Sequence, residues 1–223
     1  MPEKTRLLQR LREKALIRVV DDDETVLVAL RAFLEMDDWK VKTYRSAEAF
    51  LGDLSPLPGC MVLDVRMPGM NGIELQQHML AHEIRTPIIF LSAHGDISLA
   101  VDAMRSGAVM FMEKPPKPER LLSCIEEAVL LDWEQSRRRE DLEALERELS
   151  SLTQAERQVA QMVAKGLSNP QIAAALGVSE TTVRSQRSAI YAKLEVQNAV
   201  ELADFFYEIA RLRTFFERHR PEA

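Results

Sequence analysis

The chain predicts an α/β domain in front and an all-α unit behind. The front part reads as a doubly wound parallel sheet over roughly the first 130 residues, followed by a charged helix and then compact helices. Three observations carry that expectation. Short β-type runs alternate with stretches of helical period, two of the runs end in carboxylates, and past about residue 150 the punctuation is that of short capped helices.

Length and charge set the limits. The 223 residues suffice for two small domains. No apolar stretch approaches a membrane span and the N-terminus lacks a signal-peptide core, so a cytoplasmic protein with no membrane partner is expected. Cys60 and Cys124 lie in apolar surroundings and are expected as buried reduced thiols. Residues 1–150 hold 20 basic and 27 acidic side chains and residues 151–223 hold 9 and 8, net −7 and +1. Bulk charge alone marks neither part as a nucleic-acid binder.

Residues 1–13 are basic and read as a helical extension. The β-type runs then fall at 16–20, 40–43, 60–63, 88–91 and 109–112, separated by helical segments. Val26, Leu30 and Phe33 repeat at helical spacing, as do Ile97, Val101 and Met104, and Leu121, Ile125 and Val129. Asp96 is placed to cap the helix that ends at Gly107, and Pro118 suits the first turn of a helix running toward Leu131. Five strands alternating with five helices make a doubly wound sheet, which places its ligand at the carboxyl ends of the strands.

Those ends carry chemistry. Asp64 closes the run at 60–63, and Asp21-Asp22-Asp23 closes the run at 16–20. Converging carboxylates repel one another, so the cluster implies a bound divalent cation, Mg²⁺. The run at 88–91 delivers Ser92 to the same edge, and the run at 109–112 delivers Lys114. Taken singly, a strand-end Ser is usually a turn residue and a Lys before Pro a solvated charge. Together with a carboxylate and a metal they suit a phosphoryl group, with the carboxylate as acceptor.

Residues 14–135 resemble the receiver domains of two-component response regulators, through Asp21-Asp22, Asp64 with Arg66-Met67-Pro68-Gly69-Met70-Asn71-Gly72, Ser92 with Ala93-His94-Gly95-Asp96, and Lys114-Pro115. The spacings of 28 residues from Asp64 to Ser92 and 22 from Ser92 to Lys114 are similar to those of the FixJ-like branch. The resemblance implies a flavodoxin-like sheet of order 2-1-3-4-5 and phosphorylation of Asp64 by a cognate sensor histidine kinase. It implies Mg²⁺ held by Asp22, Asp64 and the Arg66 backbone carbonyl with support from Asp21, and a cis peptide at Lys114-Pro115. It also implies a switch in which the Ser92 hydroxyl moves inward and Phe111 turns into the vacated space. Ala100, Met104 and Arg105 become candidates for a phosphorylation-promoted homodimer surface, core packing being the blander role for Met104. Pro116 departs from the family pattern, where an aromatic is common.

Residues 132–151 read as a charged helix with Leu142, Leu145, Leu149 and Leu152 as a narrow apolar stripe. A solvated spacer and a short coiled coil between protomers both fit. Thr153-Gln154-Ala155-Glu156 is then a capping box, its helix ending near Gly166. Ser168-Asn169-Pro170-Gln171 opens a second helix that ends at Gly177, and Ser179 caps a third. Helix, tight turn, helix is a helix-turn-helix arrangement. Val183, Ile190 and Leu194 are expected inward, leaving Thr181, Arg184, Ser185, Arg187 and Ser188 for a major groove.

Residues from 151 to about 206 resemble the LuxR-type helix-turn-helix, through Leu152-Thr153, Glu156-Arg157, Val163-Ala164, Gly166-Leu167-Ser168-Asn169, Gln171-Ile172-Ala173, Leu176-Gly177-Val178-Ser179, Thr182-Val183-Arg184 and Lys193-Leu194. That resemblance implies base-facing positions for Arg184, Ser185 and Ser188, and positions near the phosphate backbone for Thr182 and Arg187. Gln186 and Ser188 depart from the residues common there.

The expected organisation is therefore an N-terminal extension (1–13), a receiver (14–131), a linker helix (132–151) and a DNA-binding domain (152–223). The expected function is phosphorylation-dependent transcription regulation through double-stranded DNA, without enzymatic activity. Two alternatives stand beside it. One is a constitutive DNA-binding regulator with a silent receiver; the other is an aspartate-nucleophile phosphatase, since Asp21-Asp22-Asp23-Glu24-Thr25 also fits D-x-D-x-T.

Overall fold

The computed structural model describes residues 3–93 and 97–218. It divides into two compact units, one extending to Ser136 and the other beginning at Arg137. In the first, α1 (Glu3–Arg12) precedes β1 (Leu16–Val20), α2 (Glu24–Glu35), β2 (Lys40–Tyr44), α3 (Ala47–Leu51) and β3 (Gly59–Asp64). Then come α4 (Gly72–Ala81), β4 (Ile88–Ser92), α5 (Ile97–Arg105), β5 (Met110–Glu113) and the long α6 (Pro118–Ser150).

The five strands are all parallel and ordered β2-β1-β3-β4-β5, as expected. β1, β3 and β4 are buried along their whole length, which is why they read as continuous apolar runs. β2 lies at an edge and alternates, with Lys40 and Lys42 outward. Pleating sends alternate residues to two cores. Ile17, Val19, Cys60, Val62, Ile89 and Leu91 pack with α2 and α6, whereas Val20, Met61, Leu63 and Phe90 pack with α3, α4 and Ala103 of α5. Cys60 and Cys124 are both free and buried.

Arg18 is the exception within β1. Only 2 % exposed, its guanidinium donates to the carbonyls of Leu16, Ser55 and Leu57, at 3.1, 2.9 and 2.7 Å. Burial lowers its pKa, against the favourable fields of Tyr44 and Asp132. It ties the loop before β3 to the central strand. The N-terminal extension is likewise docked: Leu11 is buried, and Arg12 pairs with Asp37 at 3.1 Å and Glu126 at 2.6 Å while lying over the Trp39 ring.

Two expectations are corrected. On α5 the inward residues are Ala103 and, in part, Leu99, while Val101 and Met104 are 45 % and 44 % exposed. The helix carries apolar residues on both faces, so period alone could not choose between them. The helix read from Pro118 toward Leu131 and the charged helix read over 132–151 are one unbroken helix, Pro118–Ser150. The Asp96 cap lies outside the described residues.

In the second unit, the part of α6 from Arg137 onward is joined by α7 (Gln154–Ala164), α8 (Asn169–Leu176), α9 (Glu180–Lys193) and α10 (Ala199–Arg218). Leu152 is buried in its core, and Leu142, Leu145 and Leu149 pack against that core. The leucine stripe is thus partly covered within its own unit, with only Leu152 fully buried. The last turns of α10 reach α6 through charged side chains: Arg213 pairs with Glu146 at 2.7 Å and Arg138 lies 4.1 Å over the Phe215 ring, while Leu212 is buried.

Candidate functional site

The first site is built at the carboxyl ends of β1, β3, β4 and β5. Asp21 follows β1 and Asp64 ends β3; both are buried, whereas the neighbouring Asp22 is exposed. One carboxylate oxygen from each of Asp21, Asp22 and Asp64 lies within 4.8 Å of the others. Lys114 reaches into the cluster from the loop after β5, its Nζ 2.8 Å from Asp64 Oδ1 and 2.6 Å from Asp21 Oδ2. Its backbone N–H donates to the Ser92 carbonyl at 2.7 Å, which registers the loop against β4, and the Lys114-Pro115 peptide is cis. Ser92 is buried at the end of β4, and Phe111 is half-buried, 6.1 Å from the Phe90 ring.

The loop after Asp64 is shaped by close packing. The Gly72 N–H donates to the Val65 carbonyl at 3.0 Å, and an added Cβ at Gly72 would come within 2.2 Å of the Asp64 carbonyl oxygen. Only glycine lets α4 begin that close to Asp64. Asn71 then caps α4 in a full capping box with Glu74.

Electrostatics favour an added cation. Burial pushes the Asp64 carboxyl above its ordinary pKa; Lys114 pulls it down by hydrogen bond and charge, while Asp21 and Asp22 push it further up. For Lys114, burial opposes the charge, but its hydrogen bonds to Asp21 and Asp64 win and raise its pKa. One ammonium among three carboxylates leaves about two negative charges uncompensated, and an all-oxygen donor set suits a hard divalent ion. Asp23 does not join the cluster. Its Oδ1 caps α2 by accepting the Thr25 N–H at 2.8 Å, which leaves the D-x-D-x-T reading without its second acid.

The second site is the outer face of α9. Thr153 and Glu156 form the predicted capping box on α7, Gly177 ends α8 in the left-handed conformation with φ 66°, and Ser179 caps α9 by accepting the Thr182 N–H. Val183, Ile190 and Leu194 are buried. Thr182, Arg184, Ser185 and Ser188 are exposed on one helix, with the Ser188 hydroxyl donating to the Arg184 carbonyl. Arg187 departs from the outward position expected for it. It is half-buried, donating to Asn169 Oδ1 at 2.7 Å and to the Tyr191 hydroxyl at 2.8 Å.

Sequence reasoning did not pick out Asn169 and Tyr191 as its partners, although the spacing of four from Arg187 to Tyr191 was a usable signal. It also treated Glu156 only as a cap. Glu156 in addition takes the Lys193 ammonium at 2.7 Å, and that hydrogen bond, with the Thr153 N–H, holds its pKa down to about 2.

Comparison with known proteins places a family on each of the two units. Residues 17–126 match the response regulator receiver domain, and residues 150–206 match the bacterial regulatory proteins of the luxR family. The response regulator protein TmoT of Ectopseudomonas mendocina is 39% identical over 191 residues, covering 85% of this chain and 87% of that protein. The chain belongs to the LuxR-type response regulators. Within this family, the transcriptional regulatory protein FixJ of Bradyrhizobium diazoefficiens is 37% identical over 190 residues, covering 85% of this chain and 93% of its own. Among solved structures, that of the response regulator StyR matches with a TM-score of 0.80 and 42% identity over 87% of this chain and 99% of its own. This response regulator therefore joins a receiver to a LuxR-type DNA-binding domain, the pairing of a two-component transcription regulator. Among the described residues no helix is long and apolar enough to cross a membrane.

Proposed function

We propose that this response regulator is a cytoplasmic protein that accepts a phosphoryl group on Asp64 from a sensor histidine kinase and, as a phosphorylation-promoted homodimer, engages double-stranded DNA. The observation that carries the proposal is the Asp64 carboxylate 2.8 Å from the Lys114 ammonium, beside Asp21 and Asp22. A carboxylate oxygen of Asp64 attacks phosphorus, an O–P bond forms as the N–P bond of a phosphohistidine breaks, and the imidazole leaves with a proton. Lys114 meets charge on the phosphoryl oxygens and Ser92 offers a hydroxyl to one of them. Asp21, Asp22, Asp64 and the Arg66 carbonyl would hold Mg²⁺, which supplies further neutralisation of those oxygens.

The acyl phosphate biases two receiver states, with Ser92 and Phe111 as the moving pair and the exposed Met104 and Arg105 on the surface that pairs. Thr182, Arg184, Ser185 and Ser188 form the DNA-facing set. The functional parts are receiver 14–131, linker 132–151 and DNA-binding domain 152–223. The phosphoryl chemistry is done on the protein itself, so no enzyme activity toward another substrate is assigned.

The test is intact mass and sedimentation after incubation with acetyl phosphate and Mg²⁺, for wild type and Asp64→Ala. One added phosphoryl mass with a shift from monomer to dimer, both absent in Asp64→Ala, is the expected result. No adduct, or an adduct without any change in assembly or DNA affinity, would replace the proposal with the constitutive reading.

A further inference from the structure

Arg187 stands on the DNA-facing helix and carries a charge, yet its guanidinium is already committed. One amino group donates to Asn169 Oδ1 at 2.7 Å and the other to the Tyr191 hydroxyl at 2.8 Å, with the guanidinium carbon 5.7 Å from the Tyr191 ring centre. Asn169 is the first residue of α8, while Arg187 and Tyr191 lie one turn apart on α9. The planar fork therefore spans the two helices of the helix-turn-helix. Asn169, Arg187 and Tyr191 are each partly buried, so solvent competes weakly for these bonds.

The contact supplies something the apolar core lacks. Ile172 and Ala173 of α8 and Val183 and Ile190 of α9 share one core, but ridge-into-groove packing alone sets a crossing angle only to within about 15–20°. A two-bonded guanidinium anchored to the first turn of α8 removes that freedom at the turn where Arg184 and Ser188 flank it. Arg184 is exposed and, among the described residues, makes no side-chain hydrogen bond or ion pair.

We propose that Arg187 is a positioning residue for DNA reading: by bridging Asn169 and Tyr191 it fixes the angle at which α9 presents Arg184, Ser185 and Ser188, and it makes no phosphate contact. The inference rests on the proposed DNA-binding reading of that face. It separates two roles for one arginine that predict different salt behaviour, because each phosphate contact contributes about 0.9 to the slope of log affinity against log salt.

The experiment uses the full chain treated with acetyl phosphate and Mg²⁺, and a duplex of about 30 base pairs recovered by the wild-type protein from a random-sequence pool. Affinity is titrated against salt for wild type, Arg184→Ala, Arg187→Ala, Arg187→Lys, Asn169→Ala and the Arg187→Ala, Asn169→Ala double variant. Arg187→Ala is expected to weaken binding on the order of tenfold with the salt slope unchanged. Arg187→Lys, which keeps the charge but cannot fork, is expected to bind as poorly. Asn169→Ala alone should weaken binding in the same sense, and the double variant should be no worse than Arg187→Ala. A slope reduced by about 0.9 in Arg187→Ala, or wild-type binding restored by Lys, would make Arg187 a phosphate contact and overturn the proposal. Unchanged binding in Asn169→Ala would also overturn it, and that variant leaves the core untouched should Arg187→Ala fold poorly. No enrichment by the wild-type protein would instead overturn the DNA-binding reading itself.

Discussion

Removing the chain from Arg211 onward tests whether the C-terminal turns of α10 hold the leucine stripe of α6 in place. Leu212 is 3 % exposed, so its loss costs about 2 kcal/mol of apolar burial. The Arg138 contact over Phe215 adds about 0.5–1 kcal/mol. The Arg213–Glu146 pair, with side chains 53% and 40% exposed, adds at most about 0.5 kcal/mol. Together the truncation should cost the second unit about 3 kcal/mol, lowering its melting temperature by on the order of 10–20 °C for a unit of this size. Trp39 and Trp133, the two tryptophans of the chain, both precede Arg137, so tryptophan fluorescence follows the first unit while far-ultraviolet circular dichroism follows both. The expected result is an early transition in the circular dichroism with the fluorescence melt unmoved, and concentration-dependent self-association as Leu142, Leu145 and Leu149 lose their cover. Unchanged melts by both probes would refute the reasoning, and the stripe would have to be held by α7 and the front of α10 alone.

Two further outcomes are expected. Glu156 has a carboxyl held at about 2 against an ordinary value of 4.5, so its stabilisation is complete above about pH 4.5 and is lost as pH falls toward about 2. Glu156→Gln should therefore lower the melting temperature of the second unit at neutral pH, with the gap to wild type narrowing as pH falls from about 4.5 toward about 2; a constant gap would show that charge is not its source. Arg18→Met leaves the Ser55 and Leu57 carbonyls without their donor, and should cost the first unit about 2–4 kcal/mol in urea unfolding followed by tryptophan fluorescence, whereas a cost below about 0.5 kcal/mol would show the loop to be held otherwise.

What the sequence disclosed and what it withheld divide along physical lines. The strands and the acidic edge were legible because a buried parallel strand writes itself as a continuous apolar run, and Asp64 and Asp21 sit where those runs end. The helix-turn-helix was legible because its boundaries are local: Thr153 with Glu156, Ser168 with Gln171, Gly177 and Ser179 each act within one turn. The α5 face was misread because Val101 and Met104 match the helical period as well as Leu99 and Ala103 do. The partner of the leucine stripe was not legible because Glu146 and Arg213 stand 67 residues apart, and no local pattern links them. Arg18 escaped notice for the same reason, since its partners are backbone carbonyls of a distant loop, which any sequence supplies.

The same distinction between local and tertiary contacts bears on how such a weakly basic domain engages a polyanion. Residues 151–223 hold nine basic and eight acidic side chains, and most of the described cations are spent internally. Arg157 donates to the Leu149 carbonyl, Arg187 to Asn169 and Tyr191, and Lys193, Arg211 and Arg213 pair with Glu156, Glu208 and Glu146. Among the described residues of this stretch, Lys165 and Arg184 make no side-chain hydrogen bond or ion pair. A domain whose reading helix offers one uncommitted guanidinium gains little from nonspecific phosphate attraction, which otherwise dominates affinity for DNA. On the proposed reading, its discrimination would fall to Arg184 with Ser185 and Ser188, and its affinity to the pairing of two such domains on adjacent half-sites. On the proposed reading, receiver dimerisation would then control occupancy of the DNA directly, because the near-neutral charge of a single domain gives it little phosphate attraction.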